Sequence, residues 1–315
     1  MRRLLELVVK LGISLGLIWY LAYKMDWPML GHSFATAHWK PLAGAVLLFA
    51  LSNVLGTAQW HLLLRVQEIP ITFRKALVVY HVGVFFNNVL LGNIGGDAMR
   101  IYDIRRLSGQ ASGGVAATVM DRFVGLFSTC TIALIAYMVL PEVHDLASVL
   151  VPIWLGLMVV LGVGVSRRAG LYFEGQVRRW GPARLADIAG SLRQSMGAYR
   201  HRYGLLLGIW VLSLLVQLCR VLVYWAAGLA VGMVIPLGYY ICFQPIAAII
   251  AALPISVGGL GVRENVVVQL FGSVGADANL SFAMSLLGYL AGILASLLGG
   301  VAFIFRRMEP AESPQ

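Results

Sequence analysis

Four arginines lie inside otherwise apolar segments, and they are the residues of this chain best suited to binding a charged ligand. They are Arg100, Arg122, Arg220 and Arg263. Three carboxylates accompany them in the same or neighbouring segments: Asp97, Asp121 and Glu264. A guanidinium grips a phosphate or carboxylate through two hydrogen bonds, and an ionisable residue within a membrane is a functional candidate by default. These groups predict an intramembrane site for an anionic head group.

A structural interpretation of the same charges stays open at this stage. Asp97 or Asp121 could pair with Arg220 in a buried ion pair that fixes helix register. Asp97 could instead cap the N-terminus of its helix, and Glu264 could serve only as a charge partner.

Two of the arginines close a seven-residue pattern that occurs twice. Residues 94–100 read IGGDAMR and residues 257–263 read VGGLGVR, so both follow the order aliphatic, Gly, Gly, any, small, aliphatic, Arg. Paired glycines permit positive φ and close backbone approach, and a helix that opens after them would aim its free N–H groups at the break. We expect Arg100 and Arg263 to lie one turn inside those helices. The glycine pairs are Gly95 with Gly96 and Gly258 with Gly259. The alternative is that these glycines only permit tight helix packing.

Each pattern lies within a segment that does not resemble a simple membrane span. The first follows an apolar arm at about 75–91, and the second follows one at about 238–254. Shorter mixed segments come next, at about 97–107 and 261–273. A broken segment at membrane depth must be buried in protein or line a wet cavity, so we predict two re-entrant hairpins. The alternative is that 75–107 and 238–273 each cross the membrane fully and return. Matching breaks in two halves of opposite orientation are the best sequence indicator of a transporter's substrate site.

Two adjacent asparagines precede the first break. Asn87 and Asn88 are candidates for lining the same cavity, or for hydrogen bonds across helices.

The composition excludes a water-soluble globule. Of the 315 residues, 59% are apolar and only 12% charged, and the mean hydropathy is +0.82, whereas soluble domains carry about 25% charged residues. The net charge of +10 does not indicate nucleic acid, because the basic residues fall in short stretches between long apolar runs. That pattern is typical of a membrane protein.

The apolar runs predict an all-α, polytopic membrane protein with six full spans and the two hairpins. The spans are about 4–23, 41–63, 114–140, 146–166, 204–233 and 277–305. We expect the first to be a retained anchor, since its apolar run is longer than that of a signal peptide. Most of the 24 lysines and arginines fall on one side of this topology, which predicts that both termini are cytoplasmic.

The chain is predicted to form a single transmembrane domain of two halves, about 41–140 and 204–305. The stretch 167–203 connects the halves and is rich in arginine. Apolar residues recur in it at near-helical spacing, which favours an amphipathic helix on the anionic inner leaflet. A plain loop that sets orientation is the alternative.

The motifs together resemble those of a known family. Four motifs resemble those of the transmembrane flippase domain of lysylphosphatidylglycerol synthases (the multiple peptide resistance factors) and of its free-standing relatives. They are Asn87-Asn88, Gly95-Gly96-Asp97 with Arg100, Asp121-Arg122 with Gly125, and the run from Pro254 to Glu264. The resemblance extends from about residue 5 to 307. It implies re-entrant helices around a central cavity for a phospholipid or another lipid-linked head group. The synthase domain is absent from the given chain, so we expect no aminoacyl transfer.

These observations predict a non-enzymatic lipid flippase or scramblase of the bacterial inner membrane. Its expected partners are membrane lipids, with no nucleic acid, metal or cofactor, and self-association is left open. Two alternatives are a membrane-embedded transferase on a lipid-linked donor and an accessory subunit that docks a synthase through 167–203.

Overall fold

A computed structural model describes residues 25–89, 95–139, 147–180, 197–199, 202–253, 256 and 258–305, with Gly12, Gly16, Trp19, Tyr20 and Tyr23. Within these ranges every regular element is an α-helix, which confirms the predicted class. The helices are α1 (Trp27–Ala35), α2 (Trp39–Val66), α3 (Phe73–Val89), α4 (Gly95–Ser108), α5 (Ala111–Val139), α6 (Ala147–Val165), α7 (Arg167–Trp180), α8 (Tyr203–Ala230), α9 (Leu237–Ala252), α10 (Val262–Gly272) and α11 (Ala278–Phe305).

Among the described residues, four helices are long and apolar enough to cross a membrane: α2, α5, α8 and α11. Each has 28 or 29 residues, or roughly 42 Å at 1.5 Å per residue, against about 30 Å of hydrocarbon. They match four of the predicted spans. The predicted span 146–166 corresponds to α6, with a shorter apolar stretch at Leu150–Val160. The predicted span 4–23 lies largely outside the described residues.

Eight of the eleven described helices form two four-helix units with the same internal packing. In the first unit α2 packs on α3, α3 on α4 and α4 on α5; in the second, α8 packs on α9, α9 on α10 and α10 on α11. The contacts between units have the same symmetry: α3 lies on α11 as α9 lies on α5, and α2 lies against α8. Exchanging the two units therefore leaves the pattern of contacts unchanged.

Each unit has its own apolar core. Trp60, Tyr80 and Ile104 are buried in the first, and Tyr240 and Phe271 in the second, with the two rings 4.8 Å apart. One close approach recurs in both units. A Cβ on Gly56 of α2 would lie 2.3 Å from the Tyr80 hydroxyl, and one on Gly228 of α8 would lie 2.2 Å from the Tyr240 hydroxyl. In both units a glycine of the long helix thus makes room for a tyrosine of the following arm.

The pair α3 and α4 begins and ends at the same end of the bundle. The loop that leads into α3 contacts the first turn of α5: a Cβ on Gly113 would lie 3.0 Å from the Ile69 side chain and 3.4 Å from that of Gln67. Tyr199, near the start of α8, lies at this end too, since its hydroxyl lies 3.4 Å from the Leu63 carbonyl.

The pair α9 and α10 begins and ends at the opposite end. There the His38 N–H donates to the carbonyl of Ala230, at the end of α8, over 2.8 Å. The Asp26 N–H donates to Asn279, at the start of α11, over 2.9 Å. Thus α2 and α8 run in opposite directions, and so do α5 and α11. The two units are related by inversion of direction.

The predicted amphipathic connector is described only in part. Residues Arg167–Trp180 form the helix α7, which packs on α6. Residues 181–196 and 200–201 of the predicted stretch lie outside the described residues.

Candidate functional site

A cavity of about 530 Å³ lies between the two units. All four intramembrane arginines line it, from α4, α5, α8 and α10, together with Asp121. Asn87, Asn88 and Gly258 also line it. Five other predicted positions are not among its lining residues: Asp97, Glu264, Gly95, Gly96 and Gly259. The inverted arrangement therefore brings Arg100 and Arg263 to one common space.

Arg100 is almost completely buried at the cavity wall, although its Nε has no hydrogen-bond partner among the described residues. Its guanidinium donates to the Asp121 carboxylate over 3.0 Å and lies 4.3 Å from the Trp60 ring and 4.5 Å from the Tyr80 ring. Asp121 also accepts a hydrogen bond from the Gln59 amide over 2.8 Å. Arg100 is only 3% exposed, so its charge is neutralised within the protein and its position is fixed by aromatic contacts on α2 and α3.

Arg122 and Asp97 form a two-bond ion pair between α5 and α4. The Arg122 Nε and Nη2 donate to the two Asp97 oxygens over 2.9 and 2.8 Å. Asp97 lies in the first turn of α4 and is also 3.7 Å from Arg100. The interpretation that Asp97 or Asp121 pairs with Arg220 is therefore wrong, because both carboxylates are engaged by other arginines.

Arg263 and Glu264 pair with each other at the start of α10. Both Nε and Nη2 of Arg263 donate to Glu264, and the guanidinium lies 4.5 Å from the Tyr289 ring. Glu264 is buried and also accepts from the Gly261 N–H over 2.7 Å, so it caps the helix while it neutralises the arginine. Arg263 is the second residue of α10, not one turn inside it as expected; the glycine turn before it extends further than the pattern suggested.

Arg220, in the middle of α8, has no such partner. Within the described part of the chain no carboxylate lies within 4 Å of its guanidinium, and its buried Nε has no hydrogen-bond acceptor. The side chain is half-buried and lines the cavity. Among the four arginines, Arg220 alone is thus left with its charge unneutralised by any described residue.

The glycines of the first break do not adopt the expected conformation. Gly95 and Gly96 are the first two residues of α4 and are helical, without positive φ. A Cβ on Gly96 would lie 1.9 Å from the Gly83 carbonyl oxygen of α3, and the Asn87 side chain accepts the Gly96 N–H over 2.9 Å. At Gly96 the alternative of tight helix packing is therefore correct.

The second break uses its glycines as the pattern predicted. Gly258, Gly259 and Gly261 have φ of 63°, 78° and 79°, in the left-handed region that favours glycine. A Cβ on Gly259 would also lie 2.9 Å from the Ala251 side chain. These turns let the chain reverse between α9 and α10 at the cavity wall.

Several residues of the site were missed by sequence reasoning. Gln59 was detectable as a polar residue in an apolar span, whereas Trp60, Tyr80 and Tyr289 look like ordinary core aromatics and carry no local signal. Asn88 was predicted, and its amide donates to the Gly292 carbonyl of α11 over 3.3 Å. It therefore links the first hairpin to the last span.

The fold and cavity define a class: a multi-pass, all-helical integral membrane protein with two inverted units around a cavity that contains charged residues. The chain belongs to the family described as the lysylphosphatidylglycerol synthase TM region, whose model matches residues 7–300. This confirms the resemblance that the motifs suggested.

Two archaeal relatives support the assignment. A UPF0104 membrane protein of Methanothermobacter thermautotrophicus is 25% identical over 297 residues, covering 84% of this chain and 83% of that protein. A UPF0104 membrane protein of Pyrococcus horikoshii is 20% identical over 332 residues, covering 98% of both.

Proposed function

We propose that this protein is a lipid translocator that carries an anionic, lipid-linked head group across the membrane without changing it covalently. The observation that supports this most is the position of Arg220, an arginine without a counter-ion among the described residues, in a cavity of about 530 Å³. That volume lies within the range of small-molecule sites. A phosphate oxygen at Arg220 would supply the charge that the described residues lack.

The two hairpins provide a route to this site from both faces. In the first pair, α3 has 17 residues and α4 has 14, which correspond to roughly 25 and 21 Å. In the second pair, α9 has 16 residues and α10 has 11, which correspond to roughly 24 and 17 Å. All four lengths are less than the thickness of the hydrocarbon, about 30 Å. Because each pair begins and ends at one end of the bundle, we propose that both are re-entrant and that their tips meet near mid-depth. Rocking of one unit against the other would expose the cavity alternately.

The distribution of basic residues supports one orientation of the protein in the membrane. Arg65, Arg74 and Lys75 lie at the end of the bundle that holds the loop between α2 and α3. By the positive-inside rule we propose that this end, with both termini, faces the cytoplasm of the cell that carries the protein in its inner membrane. Helix α7 would then lie on the anionic inner leaflet, with Leu171 and Tyr172 exposed to it.

Reconstitution tests the proposal directly. The purified protein is placed in vesicles with fluorescent phosphatidylglycerol, and the fraction of label that escapes an impermeant quencher is followed over time. We expect the protein to accelerate crossing, and we expect Arg220→Gln to slow it roughly tenfold or more, since a charge-assisted hydrogen bond is lost. Arg74→Gln, which removes an exposed arginine outside the cavity, is the matched control and should match wild type. Equal crossing with and without the protein would refute the proposal.

A further inference from the structure

The charges around the cavity can be counted, and three of the four arginines are neutralised one to one. Arg100 pairs with Asp121, Arg122 with Asp97, and Arg263 with Glu264. Each of these carboxylates has a further donor or cation: Gln59 at Asp121, Arg100 at Asp97 and the Gly261 N–H at Glu264. Each ionised carboxylate thus balances one guanidinium, and these pairs contribute no net charge.

Arg220 leaves the described site with one excess positive charge. An uncompensated charge in a low-dielectric environment is costly, and the cost falls when an opposite charge binds beside it. A ligand with one net negative charge would bring the site to neutrality. A dianionic ligand would leave one negative charge without a partner among the arginines, unless it broke an existing pair.

A zwitterionic ligand is disfavoured for a second reason. Its phosphate could approach Arg220, but the positive charge of its ammonium group would also need an opposite charge beside it. The only carboxylate among the described residues that line the cavity is Asp121, and both of its oxygens are already bonded, to Arg100 and to Gln59. The ammonium group would therefore be desolvated without a counter-ion.

We propose that the cavity selects head groups that carry a single net negative charge, and that Arg220 is the residue that sets this selectivity. The inference rests on the proposed function, because it specifies the substrate class of the same site. The loaded site is then neutral, and the empty site carries one positive charge.

The test compares two head groups in the same vesicles. Phosphatidylglycerol carries one negative charge and phosphatidylcholine none, and each is supplied with a distinguishable fluorescent label on the acyl chain. For wild type we expect phosphatidylglycerol to cross roughly tenfold faster than phosphatidylcholine, because the positive charge of choline would be desolvated beside Arg220 without a counter-ion. Arg220→Gln should bring the ratio close to one, whereas Arg220→Lys, which keeps the charge, should retain a preference for phosphatidylglycerol.

The outcomes separate this inference from the proposed function. If wild type moves both lipids equally, the charge selectivity is refuted and the translocator remains. If wild type moves neither lipid, the proposed function itself fails. A ratio that Arg220→Gln leaves unchanged would show that another group sets the selectivity. Gel filtration of each variant before reconstitution verifies that it folds, and Arg220→Lys keeps the test informative if Arg220→Gln does not.

Discussion

The pair of Arg100 and Asp121 offers the sharpest test of the site's architecture. Both side chains are almost completely buried, at 4% and 9% exposed, and they are bonded over 3.0 Å. Asp121→Asn removes the negative charge and keeps the shape. The new amide also offers only one oxygen, so either Arg100 or Gln59 would face an NH₂ group in place of an acceptor.

The magnitude follows from the burial. Removing one partner of a buried ion pair costs about 3–5 kcal/mol, because the other charge is left uncompensated. At roughly 2–4 °C per kcal/mol, we expect Asp121→Asn to lower the apparent Tm in detergent by on the order of 10 °C. Arg100→Gln should have a similar effect. In the double variant no buried charge is left alone, so its loss should be clearly smaller than the sum of the single losses.

The assay is thermal unfolding of the four proteins in one detergent, followed by intrinsic fluorescence. Glu68→Gln serves as the control, because it removes an exposed carboxylate from the loop between α2 and α3 and should leave Tm unchanged. The reasoning is refuted if Asp121→Asn is as stable as wild type, or if the losses of the single variants simply add in the double variant.

Two further predictions concern the first hairpin and the topology. Gly96→Ala should destabilise the protein by about 1–3 kcal/mol in the same unfolding assay, since its Cβ would overlap the Gly83 carbonyl. Gly44→Ala is the control, because a Cβ there has open space, and it should be neutral or slightly stabilising. Equal stability of the two variants would contradict the close packing at Gly96. In a chain whose three cysteines are replaced by serine, Gln110→Cys should react with an impermeant thiol reagent only from the cytoplasmic side and Ser273→Cys only from the outside. Labelling of both positions from one side would exclude two oppositely oriented re-entrant pairs.

The sequence was most informative where a polar group interrupts an apolar run. Arg100, Arg122, Arg220 and Arg263 all line one cavity because intramembrane charges are too costly to face lipid. Hydropathy likewise predicted the long helices, since about 20 apolar residues are required to cross the bilayer.

Which carboxylate pairs with which arginine was not predictable from the sequence. Whether Asp97 accepts from Arg122 or from Arg220 depends on how the helices are rotated, and hydropathy does not specify rotation. The contacts of Trp60 and Tyr80 with Arg100 were also not predictable, because aromatic residues that flank a cation are the same residue types as those in an ordinary core. Likewise, a Gly-Gly pair can start a helix or reverse the chain, and which of the two it does depends on packing neighbours such as Gly83.

The different helix starts at the two breaks have a consequence for motion. One copy of the seven-residue pattern is helical from Gly95, whereas the other remains a left-handed turn until α10 begins at Val262. Nearly the same local pattern is thus wound in one unit and unwound in the other. Each glycine disfavours the helix by about 1 kcal/mol relative to alanine, so the helical form at Gly95 and Gly96 depends on contacts such as that with Gly83. If alternation exchanges the conformations of the two units, the first turn of α4 would have to unwind while the segment before α10 becomes helical.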